Sequence, residues 1–191
     1  MKRIAVFASG SGTNFQAIID STNNGQLAAE IKLLVCDRPN AYCIERAEKA
    51  KIPSFVFSAK DYLEKQDYEQ KILQRLRDLQ IDYVILAGYM RLIGHTLLKE
   101  LEGRIINIHP SLLPAFPGKD AIGQALEAKA TMSGVTIHFV DEGMDTGPII
   151  AQQAVELAKD ETKASLQMKI HAIEHKLYPA VLQKVFTNQP S

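Results

Sequence analysis

The chain has 191 residues, 46% of them hydrophobic, enough for one sizeable core and short for two, so a single domain over residues 1–191 is expected. Its 22 basic residues balance 22 acidic ones, so bulk charge supplies no attraction to nucleic acid or to an anionic surface. The two cysteines, Cys36 and Cys43, stand in no metal-ligand spacing, and neither a disulfide framework nor a metal site is expected.

Residues 4–8 form a short apolar run that reads as a buried strand. Glycine and polar residues follow at once, too soon for a signal-peptide core or a membrane span, and a cytoplasmic protein is expected. After the Gly/Ser loop, Phe15, Ile18 and Ile19 share a helical face, and a second strand is expected at 31–36 beyond the turn-like Asn23-Asn24-Gly25. A helix over 41–51, a strand at 54–57 and a charged amphipathic helix over 61–80 come next. That long helix points Tyr68, Ile72, Leu76 and Leu79 inward. Strands at 83–87 and 105–108 precede a proline-rich, non-helical loop at 110–118. A helix near 122–128, strands at 135–140 and 149–155 joined by the loop 141–148, and a helical tail over 162–186 complete the chain. Strand and helix alternate as in βαβ units, so the expected fold is one doubly wound, mostly parallel α/β sheet flanked by helices.

Ligands of such sheets gather at the carboxyl ends of the strands. That rule directs attention to the loops after Ala8, Ala87, Ile108 and Val140. The first, Ser9-Gly10-Ser11-Gly12-Thr13-Asn14, leads into a helix whose N-terminal amides favour an anion such as phosphate. It lacks the third glycine of the dinucleotide fingerprint and the Lys-Ser/Thr of a P-loop, and a ligand-free turn fits it equally well. Asp37 is still placed to act as the ribose-binding acid of a nicotinamide site. Asn107 and His109 stand at a strand end; an amide that holds a developing oxyanion beside an imidazole that moves a proton suits acyl transfer. A histidine capping a proline turn is the plainer alternative. Asp141, Glu142 and Asp145 crowd one loop without the spacing of a calcium site, and one of them set against His109 would favour the protonated ring. No Gly-x-Ser-x-Gly elbow is present, so direct transfer between two bound substrates is favoured over an acyl-enzyme. The apolar stretch at 88–93 is suited either to a flat aromatic ligand or to ordinary core packing.

These motifs together resemble the glycinamide ribonucleotide formyltransferase family over essentially the whole chain. The residues that carry the likeness are Ser9-Gly10-Ser11-Gly12-Thr13-Asn14, Ala87-Gly88-Tyr89-Met90-Arg91, Asn107-Ile108-His109-Pro110-Ser111-Leu112-Leu113-Pro114, His138-Phe139-Val140 through Asp145-Thr146-Gly147-Pro148, and Glu174-His175-Lys176-Leu177-Tyr178-Pro179. The resemblance implies the formyltransferase fold, a Rossmann-like sheet, and transfer of the formyl group of 10-formyltetrahydrofolate to the amine of glycinamide ribonucleotide. It implies Asn107, His109 and Asp145 as catalytic groups, with Asp145 raising the histidine pKa. Gly12, Thr13, Asn14 and Glu174 would hold the ribonucleotide. Met90, Arg91, Leu92 and Ile93, with Asn107 and the segment Asp141, Glu142, Gly143, Met144 and Asp145, would hold the folate, and Lys65 its glutamate tail. Arg often stands in the family where Lys65 aligns, which loses a bidentate fork. Asp120 departs from a frequent histidine, and His171 from a polar amide.

Two related chemistries fit less well. A methionyl-tRNA formyltransferase would be expected to add a C-terminal domain and basic surface, and a formyltetrahydrofolate hydrolase an N-terminal regulatory domain. A nicotinamide-dependent oxidoreductase lacks its third glycine, and a non-catalytic nucleotide-binding module would have no use for His109. A monomer and a weak homodimer are equally compatible with the sequence.

Overall fold

The computed structural model describes residues 1–188. Seven strands form one sheet in the order β3-β2-β1-β4-β5-β6-β7. They are β1 (Lys2–Ala8), β2 (Ala29–Cys36), β3 (Ser54–Val56), β4 (Tyr83–Leu86), β5 (Ile105–His109), β6 (Met132–Phe139) and β7 (Ile149–Glu156). The helices are α1 (Thr13–Asn23), α2 (Tyr42–Lys49), α3 (Lys65–Asp78), α4 (His95–Glu100), α5 (Ala121–Glu127) and α6 (Lys163–Asn188). Strands β1 to β5 are mutually parallel, and β6 runs antiparallel to both of its neighbours, β5 and β7.

Strand alternation assigns each residue to a face. On the first face Ile4, Val6, Ile85, Ile106 and Ile137 pack with Phe15 and Ile18 of α1, Ala47 of α2 and Ile170 and Leu182 of α6. On the second, Ala5, Phe7, Val35, Val84 and Ile105 pack with Tyr68, Ile72 and Leu76 of α3 and Leu97 of α4. Asn107 and His109 follow Ile105 in the same alternation and therefore point to that second face. Beneath them the buried Tyr178 of α6 donates its hydroxyl hydrogen among the carbonyls of Leu86 (2.8 Å) and Ile106 (3.1 Å), which anchors the helix to β4 and β5.

Several elements differ from expectation. The long helix begins at Lys65 rather than residue 61, because Glu64 and Asp67 close a reciprocal cap and a 3-10 turn, Ala59–Asp61, precedes it. Helix α4 was not anticipated, since six residues are too few for a helical period to stand out. His109 ends β5 instead of following it. The strand-end rule also fails for the loop after Val140. Because β6 is antiparallel, it ends beside the start of β5, with Ile106 opposite Phe139 and Val140 N–H bonded to the Ile105 carbonyl. The loop leaves from the far end and reaches His109 only by turning back across the sheet.

Candidate active site

Antiparallel pairing sets His138 opposite Asn107 and Thr136 opposite His109, so one face of two neighbouring strands carries a contiguous polar cluster. Asn107 Nδ2 lies 3.3 Å from His138 Nε2, and His138 Nδ1 lies 2.9 Å from the Phe139 carbonyl. Both contacts are satisfied by one neutral tautomer, with Nδ1–H donating and Nε2 accepting. Burial lowers the His138 pKa and favours that neutral ring. One N–H of Asn107 is thereby used, and the second remains for a ligand.

His109 is 6% exposed. Its Nε2 is 2.9 Å from the Phe116 carbonyl, and its Nδ1 is 3.5 Å from Asp145 Oδ2. Each ring nitrogen faces an oxygen acceptor, so the doubly protonated ring can donate on both sides. The Nε2 contact is an ordinary hydrogen bond. The Nδ1 separation is longer and leaves that nitrogen free to turn to a reacting group. Asp145 is itself held in place by the Gly118 N–H, which Oδ2 accepts at 2.8 Å; its Oδ1 lies 3.8 Å from His138 Nε2, beyond hydrogen-bond reach. Its backbone φ of 57° is the left-handed turn that brings the carboxylate back toward β5. Ser111 and Thr136 hold the proline-rich loop beside this cluster, through Ser111 Oγ to the Ala115 carbonyl (2.6 Å) and Leu113 N–H to Thr136 Oγ1 (3.0 Å).

A second pocket lies at the start of α1. Gly12 caps the helix at φ 73° and no side chain caps its first turn, which leaves amides available to an anion. A Cβ at Gly12 would stand 2.7 Å from the Cys43 Cβ, so the loop passes directly over α2. Arg46 of α2 donates to the Ser11 carbonyl at 2.7 Å and to Gln16 Oε1 at 3.2 Å. Asn14 Nδ2 donates to Glu174 Oε2 at 3.1 Å, which joins two residues the sequence separates by 160 positions. Glu174 is buried, and desolvation pushes its carboxyl up to about 7. Thr13 and His175 line the cavity of about 440 Å³ that opens alongside. His171 stacks near His175 with ring centroids 5.9 Å apart, and burial lowers both imidazole pKa values.

Between the polar cluster and α4, the segment 88–94 presents Met90 and Leu92 to solvent, and Met144 is similarly exposed on the facing loop. His95 and the exposed Glu142 approach to 3.8 Å across the gap between these loops. Asp141 orders its own loop by accepting the Gly143 N–H at 3.0 Å and the Thr146 hydroxyl at 2.7 Å. Arg91 donates Nε to Asp37 at 2.8 Å. Ile93 lies in the second-face core, so it supports the loop from beneath. Lys65 opens α3 with its stem beside Gly94, at the outer end of the segment. Asp120 caps α5 by accepting the Gly123 N–H and pairs with Lys163 at 2.9 Å.

Asp37 corrects the nicotinamide alternative: its side chain is only 2% exposed, with one oxygen accepting from Ser9 and the other from Arg91, so a ribose cannot reach it. Reading the sequence missed Arg46 and the Phe116 carbonyl as parts of these pockets. His138, present there only within a family motif, gains its place beside Asn107 from the register of β5 on β6. Among the described residues no group of three or more His, Cys, Asp or Glu is arranged to hold a metal ion, and no helix is long and apolar enough to cross a membrane.

Comparison with known proteins points to formyl transferases. The formyl transferase family profile matches residues 2–182. The chain is 54% identical over 185 residues to phosphoribosylglycinamide formyltransferase of Bacillus subtilis, covering 97% of this chain and 95% of that one. The crystal structure of glycinamide ribonucleotide transformylase 1 from Geobacillus kaustophilus superposes with a TM-score of 0.95 at 60% identity, over 97% of this chain and 98% of the other. A longer relative, the trifunctional purine biosynthetic protein adenosine-3 of Drosophila melanogaster, is 43% identical over 183 residues, which is 95% of this chain and 14% of the fly protein.

Proposed function

The chain belongs to the formyl transferase family, and we propose that it transfers the formyl group of 10-formyltetrahydrofolate to the amine of glycinamide ribonucleotide through Asn107, His109 and Asp145. It is a formyl transferase of purine biosynthesis, and its one-carbon donor is folate-derived. The products are formylglycinamide ribonucleotide and tetrahydrofolate, and the reaction takes place in the cytoplasm within one domain.

The observation that carries the assignment of catalytic groups is the cluster on β5. Amine attack on a formyl carbon builds negative charge on the formyl oxygen, and a preorganised donor pair is what that charge requires. Asn107 supplies the N–H that His138 leaves unused. His109 supplies a second donor from Nδ1, with Nε2 retained by Phe116. Asp145 Oδ2 faces Nδ1 at 3.5 Å and offers a carboxylate to positive charge on the ring. Through water, Asp145 then carries the proton lost by the attacking nitrogen to the folate nitrogen that leaves.

The two flanking pockets fit the two substrates. The uncapped amides of Gly12, Thr13 and Asn14 suit the ribonucleotide phosphate, and Glu174 suits the donor-rich glycinamide and ribose. Exposed Met90, Leu92 and Met144 suit the flat pterin, as do Asn107, the Arg91 and Ile93 segment and the backbone of Asp141, Glu142, Gly143 and Asp145. Lys65, at the outer end, suits the glutamate tail.

The test is release of tetrahydrofolate from the 10-formyl form with and without glycinamide ribonucleotide, for the parent and for His109→Ala. Release that needs the ribonucleotide and falls by about 100-fold or more in the variant is expected. Release without ribonucleotide would instead mark a hydrolase, and an unaffected variant would remove His109 from the chemistry.

A further inference from the structure

We propose that the buried Ser9–Asp37 pair, bridged to the half-buried Arg91, is a positioning device for the folate loop: Ser9 and Asp37 set affinity for the formyl donor without touching it themselves. This rests on the assignment of the 88–94 segment to folate made above. Asp37 stands just past β2, with only 2% of its side chain exposed. A buried carboxylate persists only when its oxygens are satisfied. Here Oδ1 accepts the Ser9 hydroxyl, and Oδ2 accepts Arg91 Nε–H at 2.8 Å. The Ser9 oxygen in turn accepts the Met90 N–H at 2.9 Å, while the Ser9 N–H donates to the Gly88 carbonyl at 3.0 Å. Three of these contacts depend on the Ser9 hydroxyl or the Asp37 carboxylate, and they hold the backbone that presents Met90 and Leu92 outward.

The anchoring is asymmetric. At its far end the folate segment is tied by the packed Ile93 and by one side-chain hydrogen bond, Gly94 N–H to Glu69 Oε2 at 2.9 Å. The glycine loop keeps attachments of its own, from Arg46 to the Ser11 carbonyl and from the Cys43 N–H to the Gly10 carbonyl. Loss of the bridge therefore loosens the folate segment and leaves the phosphate cradle in place.

The experiment is steady-state kinetics of Asp37→Asn and Ser9→Ala with each substrate varied in turn, paired with equilibrium titration of a folate analogue that carries no transferable formyl group. The expected result is a KM for the formyl donor, and a Kd for the analogue, about 5- to 20-fold higher, as for loss of one charge-assisted hydrogen bond. The KM for the ribonucleotide and kcat should stay within about twofold, and the double variant should lose less than the sum of the singles because both cut the same bridge. Ser9→Ala is the milder change and keeps the test intact should Asp37→Asn fold poorly. Equal rises in both KM values, a fall in kcat alone, or unchanged folate affinity would overturn the proposal. A parent protein that binds the analogue but transfers no formyl group would remove the assigned reaction while leaving the bridge measurable.

Discussion

Glutamine in place of Glu174 should make the protein more stable at alkaline pH and less able to bind ribonucleotide. Glu174 is 5% exposed and receives one hydrogen bond, from Asn14. Burial raises its carboxyl from 4.5 to about 7, with the Asn14 contact offsetting part of that rise. The unfolded chain loses this proton near 4.5, so between 4.5 and about 7 the native state binds more protons than the unfolded state, and stability falls as pH rises across that window. Above it the full penalty applies, about 3 kcal/mol at about 1.4 kcal/mol per tenfold change in proton affinity. Glu174→Gln removes the charge and keeps an oxygen able to accept from Asn14. In thermal and urea melts followed by circular dichroism, the variant should exceed the parent by up to about 3 kcal/mol at pH 8.5, a Tm about 6–12 °C higher. The gap should shrink to about 1 kcal/mol or less at pH 5. A variant no more stable than its parent at pH 8.5, or an advantage that does not narrow on acidification, would refute the reasoning. The buried charge is then a stability cost retained for binding, of the kind expected at functional sites.

Gly12→Ala forces a side chain into a left-handed conformation and within 2.7 Å of Cys43 Cβ, and strain with overpacking should cost about 2–5 kcal/mol. Urea melts read that loss, and the KM for ribonucleotide should rise as the phosphate loop lifts from α2. His138→Phe keeps an aromatic ring, somewhat larger, but removes the acceptor that orients Asn107, so kcat should fall about 10- to 100-fold with both KM values nearly unchanged. A kcat within twofold of the parent would show that Asn107 is oriented by other contacts.

The alternation of β-branched runs with amphipathic segments was enough to read a doubly wound, mostly parallel sheet and all seven strands to within a few residues. Candidate site residues that the fold keeps together were legible wherever the motif is contiguous, as in Asn107 with His109 or Gly12 with Thr13 and Asn14. Contacts between distant segments were not legible in the same way. The pairing of Asn14 with Glu174 depends on how α6 lies against α1, and the consumption of Asp37 depends on β1, β2 and β4 being neighbours. The placement of Asp145 is the sharpest case. A carboxylate of its loop was expected beside His109 from the strand-end rule, with Asp145 singled out by the family resemblance, yet the antiparallel β6 sends that loop out at the other end and the carboxylate returns through a left-handed residue. Local sequence determined periodicity, faces and the identity of the reactive groups, because those depend on a few successive residues. Strand direction, register and the return path of a loop were decided by packing between elements far apart in the chain, and that packing set which groups meet.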